Sequence, residues 1–171
     1  RMENFDVNRI FAFATHTHTG FYYAKSEDTV GLNVTYSNSQ KKDIMTPQEC
    51  YYFLVDRITE SVEEAWSKRA PGGVNRAMEH ATVGYCRMAM YRDGSSRMYG
   101  NTNTADFQGL LGPSDTAVEM LFFKDSSQKV TGVVVNVSCP SQVVEHMHFI
   151  SADFWSEARK EIRKVLGEDV Y

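Results

Sequence analysis

The chain lacks any apolar run approaching membrane-spanning length, which argues against a transmembrane segment. It also lacks a basic stripe. Its net charge is −4 with a pI near 5.7, and its basic residues gather only around Arg159–Lys164, where Glu161 interrupts them. A nucleic-acid binder normally carries a continuous positive footprint, so that class is not expected. Cysteine is scarce: Cys50, Cys86 and Cys139 are odd in number and widely spaced. They make neither a disulfide framework nor a paired-cysteine zinc knuckle, and they leave the redox compartment undecided. There is no internal repeat, no low-complexity segment and no visible signal peptide. The first residue is Arg1, and Glu168-Asp-Val-Tyr171 reads like the opening of a further strand, so both ends read as cut edges.

What is present is ordinary globular composition, 42% hydrophobic and 23% charged over 171 residues. That length is enough for one domain with a core. Residues 8–15 read as a strand buried on both faces, carried by Ile10, Phe11 and Phe13. A polar and aromatic excursion from Gly20 to Met45 follows. Thr46-Pro47-Gln48-Glu49 is a capping box with proline at the first helical position. The helix it opens is expected to run to about Lys68, with Tyr51, Leu54, Val55, Ile58, Val62, Ala65 and Trp66 on one stripe, until Pro71-Gly72-Gly73 stops it.

Further along, His80–Tyr91 and Ser96–Tyr99 read as strands joined by a turn at Arg92-Asp-Gly-Ser95, and Gly100–Gly109 as loop. Ala117–Phe123 and Lys129–Val137 read as a strand pair, and the consecutive Val133, Val134 and Val135 suggest a central strand covered on both faces. Ser151 is the expected cap of a last helix with an inner stripe of Trp155, Ala158, Ile162, Val165 and Leu166. The expected fold class is α/β: mixed β-sheet layers covered by amphipathic helices.

The residues able to do chemistry cluster near strand ends. In Phe13-Ala-Thr-His-Thr-His-Thr-Gly20, His16 and His18 at i and i+2 of an extended segment would point to one face and converge. A hydrogen-bonded pair is the alternative to metal ligation. Cys139 emerges where the valine strand stops; a thiolate beside an imidazole suits zinc, and a small buried hydrophobe is the plainer reading. Glu145-His-Met-His148 offers further ligands or a solvated loop. Arg87 needs either a carboxylate partner or an anion to face.

Several segments together bear a family likeness: Ala14-Thr-His-Thr-His-Thr-Gly20, Val83-Gly-Tyr-Cys-Arg87, Met98–Asn103, Val118–Phe123, Val133–His146 and Ser151–Trp155. Through them the chain resembles the N-terminal amidohydrolase domain of the neutral/alkaline, non-lysosomal ceramidase family, most of all its bacterial branch. The resemblance spreads over nearly the whole chain, and Ala-Thr-His-Thr-His-Thr-Gly is its most specific piece.

It implies residues 1–171 as a truncated part of a larger catalytic domain, and a secreted or periplasmic location. It also implies zinc-dependent cleavage of the amide bond of an N-acyl lipid. His16 takes the place of the first zinc ligand, and His18 and Arg87 take active-site places where they polarise the reacting groups. The family's later histidine ligand aligns with Cys139, a softer donor that leaves zinc a weaker Lewis acid. The family's glutamate and tyrosine ligands fall beyond Tyr171, on the remainder of the parent polypeptide.

The resemblance further implies a lipid-chain groove, and Phe21-Tyr-Tyr23 is a candidate for its wall. Two other functions stay open. One is a degenerate, non-catalytic module binding lipid or carbohydrate, which the histidine-to-cysteine change favours. The other is an esterase using the same centre on a non-lipid substrate.

Overall fold

The computed structural model describes residue 2, residues 4–25 and residues 45–171. Most of the excursion expected between Gly20 and Met45 lies outside the described residues.

The fold is mixed α/β and has, among the described residues, two antiparallel three-stranded sheets and two α-helices. Thr46 starts α1 (Pro47–Ser67) as the capping motif requires. Its hydroxyl accepts from the Glu49 N–H at 3.2 Å, and the Glu49 carboxylate accepts from the Thr46 N–H at 2.7 Å. Hydrogen bonding from the Thr46 N–H, and then from its hydroxyl, holds the Glu49 carboxyl below its usual range. Ala24 ties in at the start of the helix by donating to the Pro47 carbonyl, and Phe5 packs edge-on against Trp66 near its end.

The first sheet is ordered β1 (Gly72–His80), β5 (Ala117–Asp125), β6 (Val130–Val137), and the second β3 (Ser96–Met98), β2 (Met88–Tyr91), β4 (Phe107–Leu110). The expected hairpin turn is present: Tyr91 and Ser95 bond across it, with Gly94 at φ 81° where a side chain is strained. The expected pairing of the two later strands is present too, with Met120 opposite Val135.

Several sequence readings are corrected. Residues 10–15 form no strand; they are irregular, and Phe11 and Phe13 are 88% and 76% exposed. Their alternating polar neighbours find partners outside a ladder: Thr15 accepts from Ser141 N–H, and Thr19 from Ser151 N–H. The strand expected over His80–Tyr91 is two strands separated by an irregular run at residues 81–87, anchored by Cys86 N–H on the Ser114 hydroxyl. Gly72 and Gly73, expected only to follow the stopped helix, also begin β1, because β1 lies on the edge of its sheet where glycine and polar side chains are tolerated. Residues 107–109, expected as loop, open β4.

Asp153, not Ser151, caps α2 (Phe154–Leu166), and Val165 is exposed rather than on the inner stripe. β6 is an edge strand of its three-stranded sheet, not a central one. Its valines reflect preference for a pleated, half-buried surface. The expected self-contained core is also small: among the described residues only Ala24, Ala89 and Val170 are buried hydrophobics. No helix among the described residues is long and apolar enough to cross a membrane.

After α2 the chain returns to β6. Tyr171 N–H donates to the Thr131 carbonyl at 3.2 Å, and Val133 N–H donates to the Tyr171 carbonyl at 2.8 Å. These two bonds flank Gly132 in the pattern of a parallel rung. β6, α2 and Tyr171 thus run as strand, helix and one parallel rung, and ligand sites of α/β layers lie beyond the carboxyl ends of the strands. Ser138 and Cys139 occupy that position.

Candidate functional site

Two cavities meet at His16. The larger, about 590 Å³, runs between β6 and α2 and is lined by Phe13, His16, Cys139, Trp155 and Ile162 among others. The smaller, about 420 Å³, is an open cleft lined by His16, His18, Arg87, Met98, Tyr99, Gln142, Glu145 and His146. The histidine pair therefore does converge, with ring centroids 4.9 Å apart. The means differs from strand alternation. His16 sits at φ 60°, a left-handed conformation uncommon for a side-chain-bearing residue, and Thr15, Thr17 and Thr19 fasten the surrounding backbone. The Thr17 and Thr19 hydroxyls both donate to the Ser151 carbonyl at 3.1 Å.

Arg87 lies one residue before β2, not mid-strand, and its carbonyl accepts from Tyr99 N–H at 2.7 Å. Its guanidinium donates to the Tyr99 hydroxyl at 2.6 Å and to Gln142 Oε1 at 2.9 Å. Among the described residues no carboxylate forms an ion pair with it. Its positive charge is oriented by neutral groups and makes no direct ion pair in the cleft it shares with Glu145, an arrangement that can face an anionic or developing negative charge.

Gln142 is the hub that residue typing did not single out. Arginine only donates, so Oε1 is the acceptor and Nε2 the donor of the amide. Nε2 then donates to Glu145 Oε2 at 2.8 Å and to His18 Nε2 at 3.1 Å. An accepting Nε2 places the proton of neutral His18 on Nδ1, which faces Glu145 Oε2 at 3.4 Å. Tyr99, Arg87, Gln142, His18 and Glu145 form one continuous network. The signal in the sequence was the i, i+3 spacing of Gln142 and Glu145 in a tight turn.

From Glu145-His-Met-His148, Glu145 joins this network. His146 stands at the rim with Nε2 3.6 Å from Glu145 Oε1, and His148 lines neither cavity. Phe21, Tyr22 and Tyr23 line neither cavity either.

Cys139 faces the larger cavity with His16, its thiol 3.6 Å from the Pro140 carbonyl. The donor types suit zinc, sulfur and nitrogen at one cavity wall. The number falls short: among the described residues no group of three or more His, Cys, Asp or Glu side chains gathers as for a metal ion. His16 and Cys139 are two donors toward a tetrahedral set of four.

Ser141 is fully buried, its N–H on the Thr15 carbonyl and its hydroxyl without a partner among the described residues. Replacing Ser141 by alanine removes that unsatisfied group. It is expected to leave stability unchanged or raise it by about 1 kcal/mol, read as the urea midpoint.

No family model matches this chain, and no curated protein or solved structure matches it.

Proposed function

We propose that this chain carries one wall of a ceramidase-like, zinc-dependent centre that hydrolyses an amide bond in an N-acyl lipid or related substrate. The observation that carries the reading is that His16 belongs to two cavities at once. One holds Cys139; the other holds His18 and Arg87. His16 and Cys139 would hold zinc, which when bound supplies Lewis acidity and an activated water. Arg87, steered by Tyr99 and Gln142, faces the cleft as the donor for a developing oxyanion. His18 holds its proton on the side of Glu145, and the pair positions the amide of Gln142 against Arg87. With two zinc donors only, the chain by itself is expected to turn over no N-acyl substrate.

A second reading, a non-catalytic lipid- or carbohydrate-binding module, is favoured by one observation: both ring nitrogens of His18 are already engaged, by Gln142 and Glu145.

Cobalt(II), as a spectroscopic stand-in for zinc, separates the two. Titrated into the chain, it is expected to give a near-ultraviolet thiolate-to-metal band that vanishes in Cys139→Ser and persists in Cys86→Ser. His16→Ala is expected to weaken binding roughly tenfold or more, since loss of even an outer-shell partner costs that much. Survival of the band in Cys139→Ser, or its absence from the parent polypeptide that also carries the remaining ligands, would rule out the metal reading and favour the binding module.

A further inference from the structure

The smaller cleft holds a guanidinium and a carboxylate and keeps them apart. Arg87 and Glu145 both line it, and the side-chain amide of Gln142 stands between them. Its Oε1 accepts from Arg87 Nη1 at 2.9 Å, and its Nε2 donates to Glu145 Oε2 at 2.8 Å. Opposite charges that share a cleft gain most by pairing directly. Here a neutral spacer fixes their separation, and each keeps an open side. Arg87 Nη1 is spent on the Tyr99 hydroxyl and on Gln142, whereas Nε and Nη2 have no partner among the described residues. The Tyr99 ring lies 5.3 Å from the guanidinium carbon, and its hydroxyl, an acceptor from Arg87, keeps its own hydrogen to donate. Glu145 Oε1 accepts no hydrogen bond among the described residues; His146 Nε2 stands 3.6 Å from it. Met98 adds an apolar wall. These groups come from residues 87, 98–99 and 142–146, well inside the chain.

We infer that this cleft is a binding site for a free α-amino acid. The ligand's carboxylate accepts from the Nε and Nη2 side of Arg87 and from the Tyr99 hydroxyl, and its ammonium donates to Glu145 Oε1. The planar arginine fork matches a carboxylate better than a point charge does. A simple anion gains at Arg87 but is opposed by Glu145, and a simple cation meets the reverse. A molecule that carries both charges on neighbouring atoms gains at both ends. Gln142 sets the spacing between those ends, so it is the residue that decides which zwitterions fit. Binding needs no metal. Joined to the proposed activity, the same ligand is the amine half of an N-acyl amino acid, and that extension alone rests on the zinc reading.

The test titrates L-alanine into the ¹⁵N-labelled chain. Saturable shifts are expected at the backbone amides of Tyr99 and Glu145 and at the Arg87 side-chain Nε–H. L-Alaninamide lacks the carboxylate and N-acetyl-L-alanine lacks the ammonium. Each is expected to bind more weakly than L-alanine by roughly tenfold or more, since each leaves a charged group of the site unpaired. Arg87→Gln is expected to erase the preference over L-alaninamide, and Glu145→Gln the preference over N-acetyl-L-alanine. The comparison of the three compounds is made on the unaltered chain, so it decides the matter even if a variant does not fold.

Four results would overturn the inference. They are no saturable shift with L-alanine, equal binding of N-acetyl-L-alanine (a site for anions only), equal binding of L-alaninamide (a site for cations only), and shifts centred outside the cleft. The cobalt titration reads a thiolate band and this one reads amide shifts without metal, so failure of one reading leaves the other standing.

Discussion

Replacing Asp153 by alanine is expected to lower the stability of this chain by about 3 kcal/mol and to loosen the whole candidate site. Asp153 is 5% exposed, and its carboxylate accepts from Phe154 N–H at 2.7 Å and from Val144 N–H at 2.9 Å. The first bond caps α2, where the positive end of the helix favours a carboxylate. The second clamps the turn that carries Gln142 and Glu145. Alanine leaves both N–H groups without that acceptor and frees the turn from the helix.

Asp153 also sits at φ 55°, ψ −144°, a backbone conformation natural only to glycine. Asp153→Gly relieves that strain while losing the same bonds, so it is expected to cost less than Asp153→Ala by about 1 kcal/mol. If the two variants match, backbone strain is not part of the account.

The pH dependence follows from the same bonds. Burial pushes the Asp153 carboxyl upward, but the backbone N–H groups of Val144, Phe154 and Val143 outweigh it and hold the folded-state value below the usual one. The folded state therefore binds the proton less readily than the unfolded state. The contribution is complete above roughly pH 4, where the unfolded aspartate is ionised, and is lost as the pH falls through the lower folded-state value. Urea midpoints below pH 4 are expected to converge between the wild type and Asp153→Asn. A difference that stays constant down that range would sink the linkage.

How much of this was open to reading depends on whether local or distant partners decide. The capping box at Thr46–Glu49, the Arg92–Ser95 turn and the β5–β6 pairing are set by neighbours in sequence, and all three stand as read. Where partners lie far along the chain, the reading failed. Phe11 and Phe13 look like core residues, yet the backbone after them bonds to Ser141 and Ser151, over a hundred residues away. β1 has no hydrophobic pattern of its own; it exists because β5 offers it a ladder. At the site, residue type pointed to His16, His18 and Arg87, which do share a cleft. Gln142, which fixes the orientation of two of them, carries no charge and fits no metal or nucleophile pattern. Its one trace in the sequence is the i, i+3 spacing to Glu145, and its role comes from geometry.

A methyl group at Gly84 is expected to move Cys139. Gly84 lies in the irregular run between β1 and β2, where a Cβ would stand 2.7 Å from the Ser138 carbonyl oxygen and 3.2 Å from Cys139 Cβ. The first contact is with backbone and too short to hold, so the 138–139 segment must shift. Overpacking of this kind costs about 1–3 kcal/mol.

Gly109→Ala is the matched control. A Cβ there meets nothing within 4 Å, so stability should stay within about 0.5 kcal/mol. Beyond the urea midpoint, Gly84→Ala is expected to displace the amide resonances of Ser138 and Cys139 and to weaken the cobalt–thiolate band, while Gly109→Ala leaves both unchanged. If Gly84→Ala destabilises the chain yet leaves the band intact, the cost lies in the 81–87 run alone, and Gly84 does not position the thiol. If band and resonances move together, the close approach at Gly84 holds Cys139 at the wall it shares with His16.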